Sequence, residues 1–285
     1  MSTEAVADGL EGVEEMGPLS GKVAIVTGAG RYRSIGRQIA LALAQEGADV
    51  VVTGSGRPPE SYPEEEKAIG WRDVESVAEE VRSLGCRALP LVVDVTRAQD
   101  VQSLVDRTLS ELGRVDILVN NAAASRGRDR VPVVELAEED WRRVMEVNLT
   151  GTFLVTRAVA RALIDQGQGG CIVNVSSVAG RLALPAYAAY GTSKAGLIHF
   201  TRILARELAP YRIRVNCVCP GLVDTYRMAD VTRGPGRESW LASIPLGREA
   251  QPEEVGRLVA FLCGPDASFI TGDVVTIDGG RTLVC

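Results

Sequence analysis

The strongest constraint on this chain is a repeated alternation. Short runs that are apolar throughout are followed by longer segments with helical spacing. Lys22–Thr27 (KVAIVT) reads as a strand. Ile35–Glu46 reads as a helix with Ile35, Ile39, Ala42 and Leu43 on one side. Further strands are predicted at Asp49–Thr53, Ala88–Val93, Asp116–Asn120, Cys171–Val175, Arg214–Val218 and Val274–Ile277. Helices are predicted at Val74–Leu84, Gln99–Leu112, Glu138–Gln166, Ala188–Ala209 and Pro252–Leu262, with a break near Gly151 and a stop at Pro210. A strand with one wet face alternates apolar and polar residues; these mostly do not, so both faces are expected to be buried. The pattern predicts an α/β chain: a single-domain, doubly wound, seven-stranded parallel sheet with helices on both faces.

The composition suits one large domain: 285 residues, 46% hydrophobic and 24% charged. A net charge of −6 argues against a nucleic-acid partner or an anionic membrane surface, which want a basic face. No apolar run approaches the ~20 residues of a membrane span. Before Lys22 there is no basic residue, and Glu4, Asp8, Glu11, Glu14 and Glu15 stand there instead. A secretory signal needs a basic start, and a mitochondrial presequence needs arginines. The expectation is a cytoplasmic chain with a disordered acidic arm at 1–18 and one domain over 19–285.

Cys86, Cys171, Cys217, Cys219, Cys263 and Cys285 are scattered through apolar stretches and read as buried, reduced thiols. Cys217 and Cys219 lack zinc-ligand spacing, and His199 is the one histidine, so no metal site is expected. His199 follows Tyr190 by nine residues. At 100° per residue it faces away from that tyrosine, as a packing or interface residue would.

Two motifs carry chemistry. The first strand runs into Gly28-Ala29-Gly30-Arg31-Tyr32-Arg33-Ser34-Ile35-Gly36 and then a helix. Such a turn lets the backbone approach a pyrophosphate, which the helix N-terminus receives with free N–H groups. The second motif is Tyr190-Gly191-Thr192-Ser193-Lys194. A tyrosine and a lysine four apart share a helix face, and the ammonium favours the phenolate, so the pair can move a proton near neutral pH. After the second strand, Gly54-Ser55-Gly56-Arg57 offers no acid for ribose hydroxyls. Arg31, Arg33 and Arg57 are candidates for a 2′-phosphate, so NADP(H) is favoured over NAD(H). The stretch 57–72 reads as a surface excursion of unassigned role.

Taken together, Thr27-Gly28 through Gly36, Asn120-Asn121-Ala122, Ser177, Tyr190-x-x-x-Lys194 and Pro220-Gly221 resemble the short-chain dehydrogenase/reductase family, in its order and spacing, over roughly residues 19–281. The style is that of 3-oxoacyl-carrier-protein reductases. Two departures stand out. The glycine turn is two residues longer than the family's, with Ser34 in place of its middle glycine, similar to enoyl-reductase relatives. Ala123 replaces the glycine that usually ends the Asn-Asn-Ala run.

The resemblance implies a Rossmann fold and hydride transfer between NAD(P) and a ketone or secondary alcohol. It implies Asn148, Ser177, Tyr190 and Lys194 as the catalytic set. Tyr190 would act as acid or base, Ser177 would steady the substrate oxygen, Lys194 would lower the phenol pKa and hold the nicotinamide ribose, and Asn148 would hold a relay water. Ser176 competes with Ser177, and Tyr187 lacks a lysine partner. The resemblance further implies cofactor contacts at Gly28, Gly30, Ser34, Ile35, Gly36, Asp94, Val95, Asn121, Ala122, Pro220, Gly221, Val223 and Thr225, with Tyr190 and Lys194 shared. It also implies a substrate lid at about 226–246 and a homotetramer.

Arg126, Arg128 and Arg130 follow the Asn-Asn-Ala-Ala run, and Arg227, Arg233 and Arg237 lie in the lid. Solvated loop charges balanced by Asp129 and Glu238 are the favoured reading; steering of an anionic substrate or an acidic carrier protein is the alternative. A dinucleotide-binding redox sensor is the competing function, opposed by the complete catalytic set. An enoyl reductase is opposed by the four-residue Tyr–Lys spacing, which is wider in that group.

Overall fold

The computed structural model describes residues 17–283. Residues 1–16 of the expected acidic arm lie outside the described residues. Seven strands form one sheet: β1 (Val23–Val26), β2 (Asp49–Gly54), β3 (Ala88–Val92), β4 (Ile117–Asn120), β5 (Gly170–Val175), β6 (Ile213–Pro220) and β7 (Val274–Ile277). Their order is β3-β2-β1-β4-β5-β6-β7, and every pairing is parallel. The order reverses direction between β1 and β4. There the carboxyl ends of the strands open a crevice, as doubly wound sheets do.

Helices cover both faces. They are α1 (Ile35–Gln45), α2 (Glu64–Ala68), α3 (Val74–Ser83), α4 (Ala98–Leu112), α5 (Glu138–Met145), α6 (Gly151–Gln166), α7 (Ala188–Leu208), α8 (Ala229–Thr232), α9 (Arg237–Ala242) and α10 (Pro252–Cys263). One face buries Ile39, Leu43, Val77, Val81 and Val259 from α1, α3 and α10. The other buries Leu104, Val155, Leu163 and Leu204 from α4, α6 and α7. β1 is buried along its whole length, which explains a strand with no polar alternation.

The helical run through 138–166 does not break near Gly151. It passes from α5 into α6 through a π-turn, Glu146–Thr150. The Thr152 hydroxyl donates to the Asn148 carbonyl at 2.9 Å within this wider turn. Gly151 serves close packing: a Cβ there would come within 2.8 Å of Val95 Cγ2. By length and hydropathy this run could cross a bilayer, yet half of its apolar window is buried inside the fold, as in a core helix.

The excursion at 57–72 folds as a short 3-10 turn and α2, and it buries Tyr62, Glu66 and Trp71. Polar composition alone hides this, because Glu66 is buried by pairing and by a backbone N–H it accepts from.

A chain of buried amides and hydroxyls ties the sheet to the helices that bear the site. Asn120 Nδ2 donates to Thr156 Oγ1 and to Asn174 Oδ1, each at 2.9 Å, and Asn174 Nδ2 donates to Thr201 Oγ1 at 2.9 Å. Every member is fully or almost fully buried. Asn174→Ala leaves an Asn120 N–H unpaired in this setting. It should cost roughly 1–3 kcal/mol or more, read as a lower urea midpoint at unchanged slope. An unchanged midpoint would show that the network carries no stability.

Candidate active site

A cleft of about 780 Å³ runs along the carboxyl ends of the strands. Its walls include the turn after β1 at one end and Tyr190 at the other.

At the first end, Gly28 has φ +68° and lies against Ala122, so any side chain would be strained and would collide. Ser34, the departure from the usual glycine, is the N-cap of α1. Its Oγ accepts from Arg37 N at 3.1 Å and donates to the Arg31 carbonyl at 2.9 Å. The N–H groups of Ile35 and Gly36 have no protein partner, and both residues line the cleft. With the helix dipole behind them, they suit an anionic oxygen. Asn121 acts as a strut: Nδ2 donates to the Thr27 and Gly28 carbonyls, both at 2.9 Å, and its N–H donates to Thr27 Oγ1. Ala122 N donates to the same hydroxyl at 3.0 Å. Thr27 thus holds the turn shut, a part the sequence reading missed.

Asp94 and Val95 form one wall beyond β3. Hydrogen bonds from the Thr96 hydroxyl and N–H keep the Asp94 carboxyl below the usual carboxylate range. Pro220 and Gly221 end β6, and Gly221 presses on Asp278 so closely that a Cβ would lie 2.8 Å from its Cα. Val223 bridges to Ala250, and Thr225 is buried; both line the cleft.

The arginines near the β2 end are differently placed. Arg33 pairs with Glu65 at 3.4 Å and Asp224 at 2.6 Å. Arg57 pairs with buried Glu66 at 2.8 Å and approaches Asp73 at 3.5 Å. Arg31 stacks on Tyr226 and has no carboxylate within pairing distance among the described residues. Asp73, which precedes α3, brings an acid into the cleft that the sequence after β2 lacks. Its Oδ1 packs over the Cα of Gly30, and its Oδ2 accepts no hydrogen bond. It holds φ +53°, rare for a non-glycine residue. The long β2–α3 link folds it back onto the glycine turn.

At the other end the predicted four come together. Lys194 on α7 is 3% exposed, and its Nζ donates to the Val175 carbonyl at 2.7 Å. Tyr190 lies one turn earlier on the same helix, 5.8 Å from ring centre to that ammonium. The Ser177 hydroxyl accepts from Ala179 N at 3.1 Å and stands near enough to Tyr190 to help lower its phenol pKa. Ser176 is tied instead to the Lys194 carbonyl at 2.8 Å. Asn148, fully buried in the π-turn, accepts from Ala124 N at 2.8 Å and donates to Ser193 Oγ at 2.9 Å. Ser193, missed in the sequence, passes the link on to the Tyr190 carbonyl at 2.8 Å. His199 is exposed on the far face.

The electrostatics follow from this packing. Burial raises the Tyr190 pKa, but Lys194, Arg227, the Ser177 hydroxyl and Arg130 outweigh it, and the phenol ends below its ordinary value. Burial lowers the Lys194 pKa, and the neighbouring phenol partly restores it. Among the described residues, no cluster of three or more His, Cys, Asp or Glu is placed to hold a metal.

Of the arginines expected on a solvated rim, Arg128 and Arg233 are exposed, whereas Arg130 and Arg227 reach inward. Arg130 is 11% exposed, pairs with Asp129, and lies 4.3 Å from the ring centres of both Tyr187 and Tyr190. Arg227 lies 5.3 Å from the Tyr190 ring centre. Arg126 pairs with Asp230, and Arg237 with Glu249 rather than Glu238.

A strand-edge crevice that joins an anion-binding helix terminus to a phenol beside a buried ammonium is the layout of a nicotinamide-dependent oxidoreductase. Known proteins agree. A family profile described as enoyl-(acyl carrier protein) reductase matches residues 28–282. A 3-oxoacyl-[acyl-carrier-protein] reductase of Thermotoga maritima is 39% identical over 265 residues, 93% of this chain and 99% of the relative. A cyclohexanol dehydrogenase of Rhodococcus sp. is 38% identical over 93% of this chain and 97% of its own. The crystal structure of carveol dehydrogenase from Mycobacterium avium, in complex with NAD, superposes with a TM-score of 0.83 at 31% identity, covering 94% of this chain and 99% of that one. The chain belongs to the short-chain dehydrogenase/reductase family. It is an NAD(P)-dependent oxidoreductase of keto and CH–OH groups.

Proposed function

We propose that Tyr190 passes the proton between protein and substrate oxygen, as acid in ketone reduction and as base in alcohol oxidation. The observation that carries this is the buried Lys194 ammonium 5.8 Å from the Tyr190 ring centre, which with the nearby Ser177 hydroxyl helps draw the phenol pKa below its ordinary value. The bound nicotinamide supplies or accepts the hydride. Ser177 donates to the oxygen on which charge develops. Lys194 stabilises the phenolate and reaches the ribose beside it. Asn148 has its side chain committed to Ala124 and Ser193, so it positions α7 and leaves its π-turn backbone to order a relay water.

The cofactor would lie along the cleft. Gly28, Gly30, Ser34, Ile35 and Gly36 form the pyrophosphate cradle, with Asn121 and Ala122 supporting it. Asp94 and Val95 flank the adenine. Pro220, Gly221, Val223 and Thr225 border the nicotinamide, and the 226–246 segment with α8 and α9 is the substrate lid.

At the adenosine end both signs of charge are present. Arg33 is engaged by Glu65 and Asp224, and Arg57 by Glu66 and, at 3.5 Å, by Asp73 Oδ2. The Asp73 carboxylate, which lines the cleft, suits ribose hydroxyls and repels a 2′-phosphate. NAD(H) is therefore the better fit here than the arginines alone suggest. The exposed Phe153 on α6 and Ile203 on α7, with Phe269 fully exposed near the carboxyl end, support a homotetramer.

Turnover of a panel of ketones and secondary alcohols tests the chemistry. Tyr190→Phe should lose about 10²-fold or more. In alcohol oxidation, kcat/KM should rise with pH and level off below about 10, because the base is a phenolate whose pKa is lowered; in reduction the rate should fall through the same pKa. Activity indifferent to Tyr190 would remove the assignment. NADH should bind at least as tightly as NADPH, and Asp73→Asn should shift the ratio of dissociation constants toward NADPH by about tenfold; tighter NADPH in the unaltered protein would restore the arginine reading. Sedimentation velocity should show a four-chain mass, and a monomer would refute the assembly.

A further inference from the structure

At its substrate end the cleft is lined by arginines and by no acid, although Arg126, Arg130 and Arg143 pair with Asp230, Asp129 and Asp140 outside the lining. Arg126, Arg130, Arg143 and Arg227 line it around Tyr190, whereas the acids that line the whole cleft, Asp73 and Asp94, stand at the adenosine end. Arg227 donates Nη1 to the Ala124 carbonyl at 2.5 Å and has no carboxylate partner among the described residues. Arg130 has one carboxylate, Asp129, yet its Nε is buried with no acceptor. Arg126 pairs with Asp230 through Nη1, while its Nε is buried without an acceptor. Guanidinium groups set this deep are ordinarily matched by carboxylate or phosphate oxygens. Leu184, Met228 and Trp240 line the same cleft and give it apolar surface beside these guanidinium groups.

Solvated loop charges would point outward and would find surface acids, as Arg142 does with Glu138 at 2.5 Å. Arg130 instead lies against both the Tyr187 and Tyr190 rings, and Arg227 lies 5.3 Å from the centre of the second. Both guanidinium carbons are within 5.3 Å of the ring whose hydroxyl meets the reacting oxygen. An anion between them is therefore separated from the reacting carbon by only a few bonds.

We propose that the substrate is a short oxo or hydroxy compound carrying an oxyanionic group, a carboxylate or a phosphate ester, near the reacting carbon, and that Arg130 and Arg227 bind that group. This rests on the hydride-transfer reading above and adds the substrate class to it. The arginines have a second consequence, since they also lower the phenol pKa. A role confined to the phenol would weaken every substrate alike, whereas an anion-binding role discriminates between charged and neutral members of a pair.

The experiment uses pairs of one carbon skeleton: lactate and methyl lactate, β-hydroxybutyrate and its methyl ester, glycerol phosphate and glycerol. Binding to the protein saturated with NAD⁺ is measured by calorimetry, and oxidation by steady-state kinetics. At least one charged member should bind and turn over about tenfold or more better than its neutral counterpart. The carboxylate and phosphate pairs distinguish the two sources of the oxyanion. Arg227→Gln and Arg130→Gln should remove most of that preference, chiefly through KM, and Arg227→Lys should restore part of it.

Neutral members that equal or exceed the charged ones would overturn the proposal, as would binding by no charged member. Equal losses on both members of a pair would assign the arginines to the phenol alone. If neutral alcohols are oxidised as well as their charged counterparts in a Tyr190-dependent way, hydride transfer stands while the anion site falls. If no turnover depends on Tyr190, the hydride-transfer assignment itself falls. Melting curves of each variant separate loss of fold from loss of recognition.

Discussion

The site depends on one buried cation. Lys194 is withdrawn from water and held on the Val175 carbonyl at the end of β5. Burial of an ammonium is unfavourable unless hydrogen bonds and a polarisable neighbour compensate. Here the carbonyl supplies the first and the Tyr190 phenol the second; burial still lowers the Lys194 pKa, the phenol partly restores it, and the ammonium in turn helps hold the phenol below its ordinary value. Lysine and tyrosine share α7, so the helix must dock on the sheet at one register. The buried chain from Asn120 through Asn174 to Thr201, and the Asn148–Ser193 link, fix that register with paired polar groups.

The same logic explains the π-turn. A straight α-helical path from α5 to α6 would carry Asn148 past Ala124 and Ser193. The wider turn keeps its amide between them, while Gly151 allows the helix to approach Val95. A local departure from regular geometry thus serves a long-range contact.

The lengthened glycine turn connects parts of the cleft that are far apart in sequence. Arg33 pairs with Glu65 of the excursion on one side and Asp224 after β6 on the other. The Tyr32 N–H donates to Glu66 at 2.9 Å, and Trp71 donates to the Gly30 carbonyl at 2.6 Å. The excursion therefore braces the turn, and the turn meets the start of the lid through the Tyr226 N–H to the Arg33 carbonyl at 3.0 Å. Partly buried, mutually paired charges of this kind fix geometry more than they add stability.

The sequence by itself determined the architecture, because seven apolar runs separated by amphipathic segments can bury both strand faces in only a few ways. It also determined the chemistry at two points, since a glycine turn between strand and helix and a Tyr–Lys pair one helical turn apart are local patterns. Strand β7 and the helical run 138–166 have the bounds that periodicity assigns them, and the other predicted elements differ by a residue or two at their ends, whereas α2, α8 and α9 have no predicted counterpart. Only the tertiary structure decided the charges. Which of Arg31, Arg33 and Arg57 is engaged depends on Glu65, Glu66 and Asp224, and the acid near the ribose end comes from Asp73, beyond the excursion. Whether Arg130 and Arg227 face water or substrate depends on how two loops fold over α7. Periodicity records which face of an element is apolar; ion pairing depends on distances of a few ångströms between residues remote in the chain, and those exist only once the chain is packed.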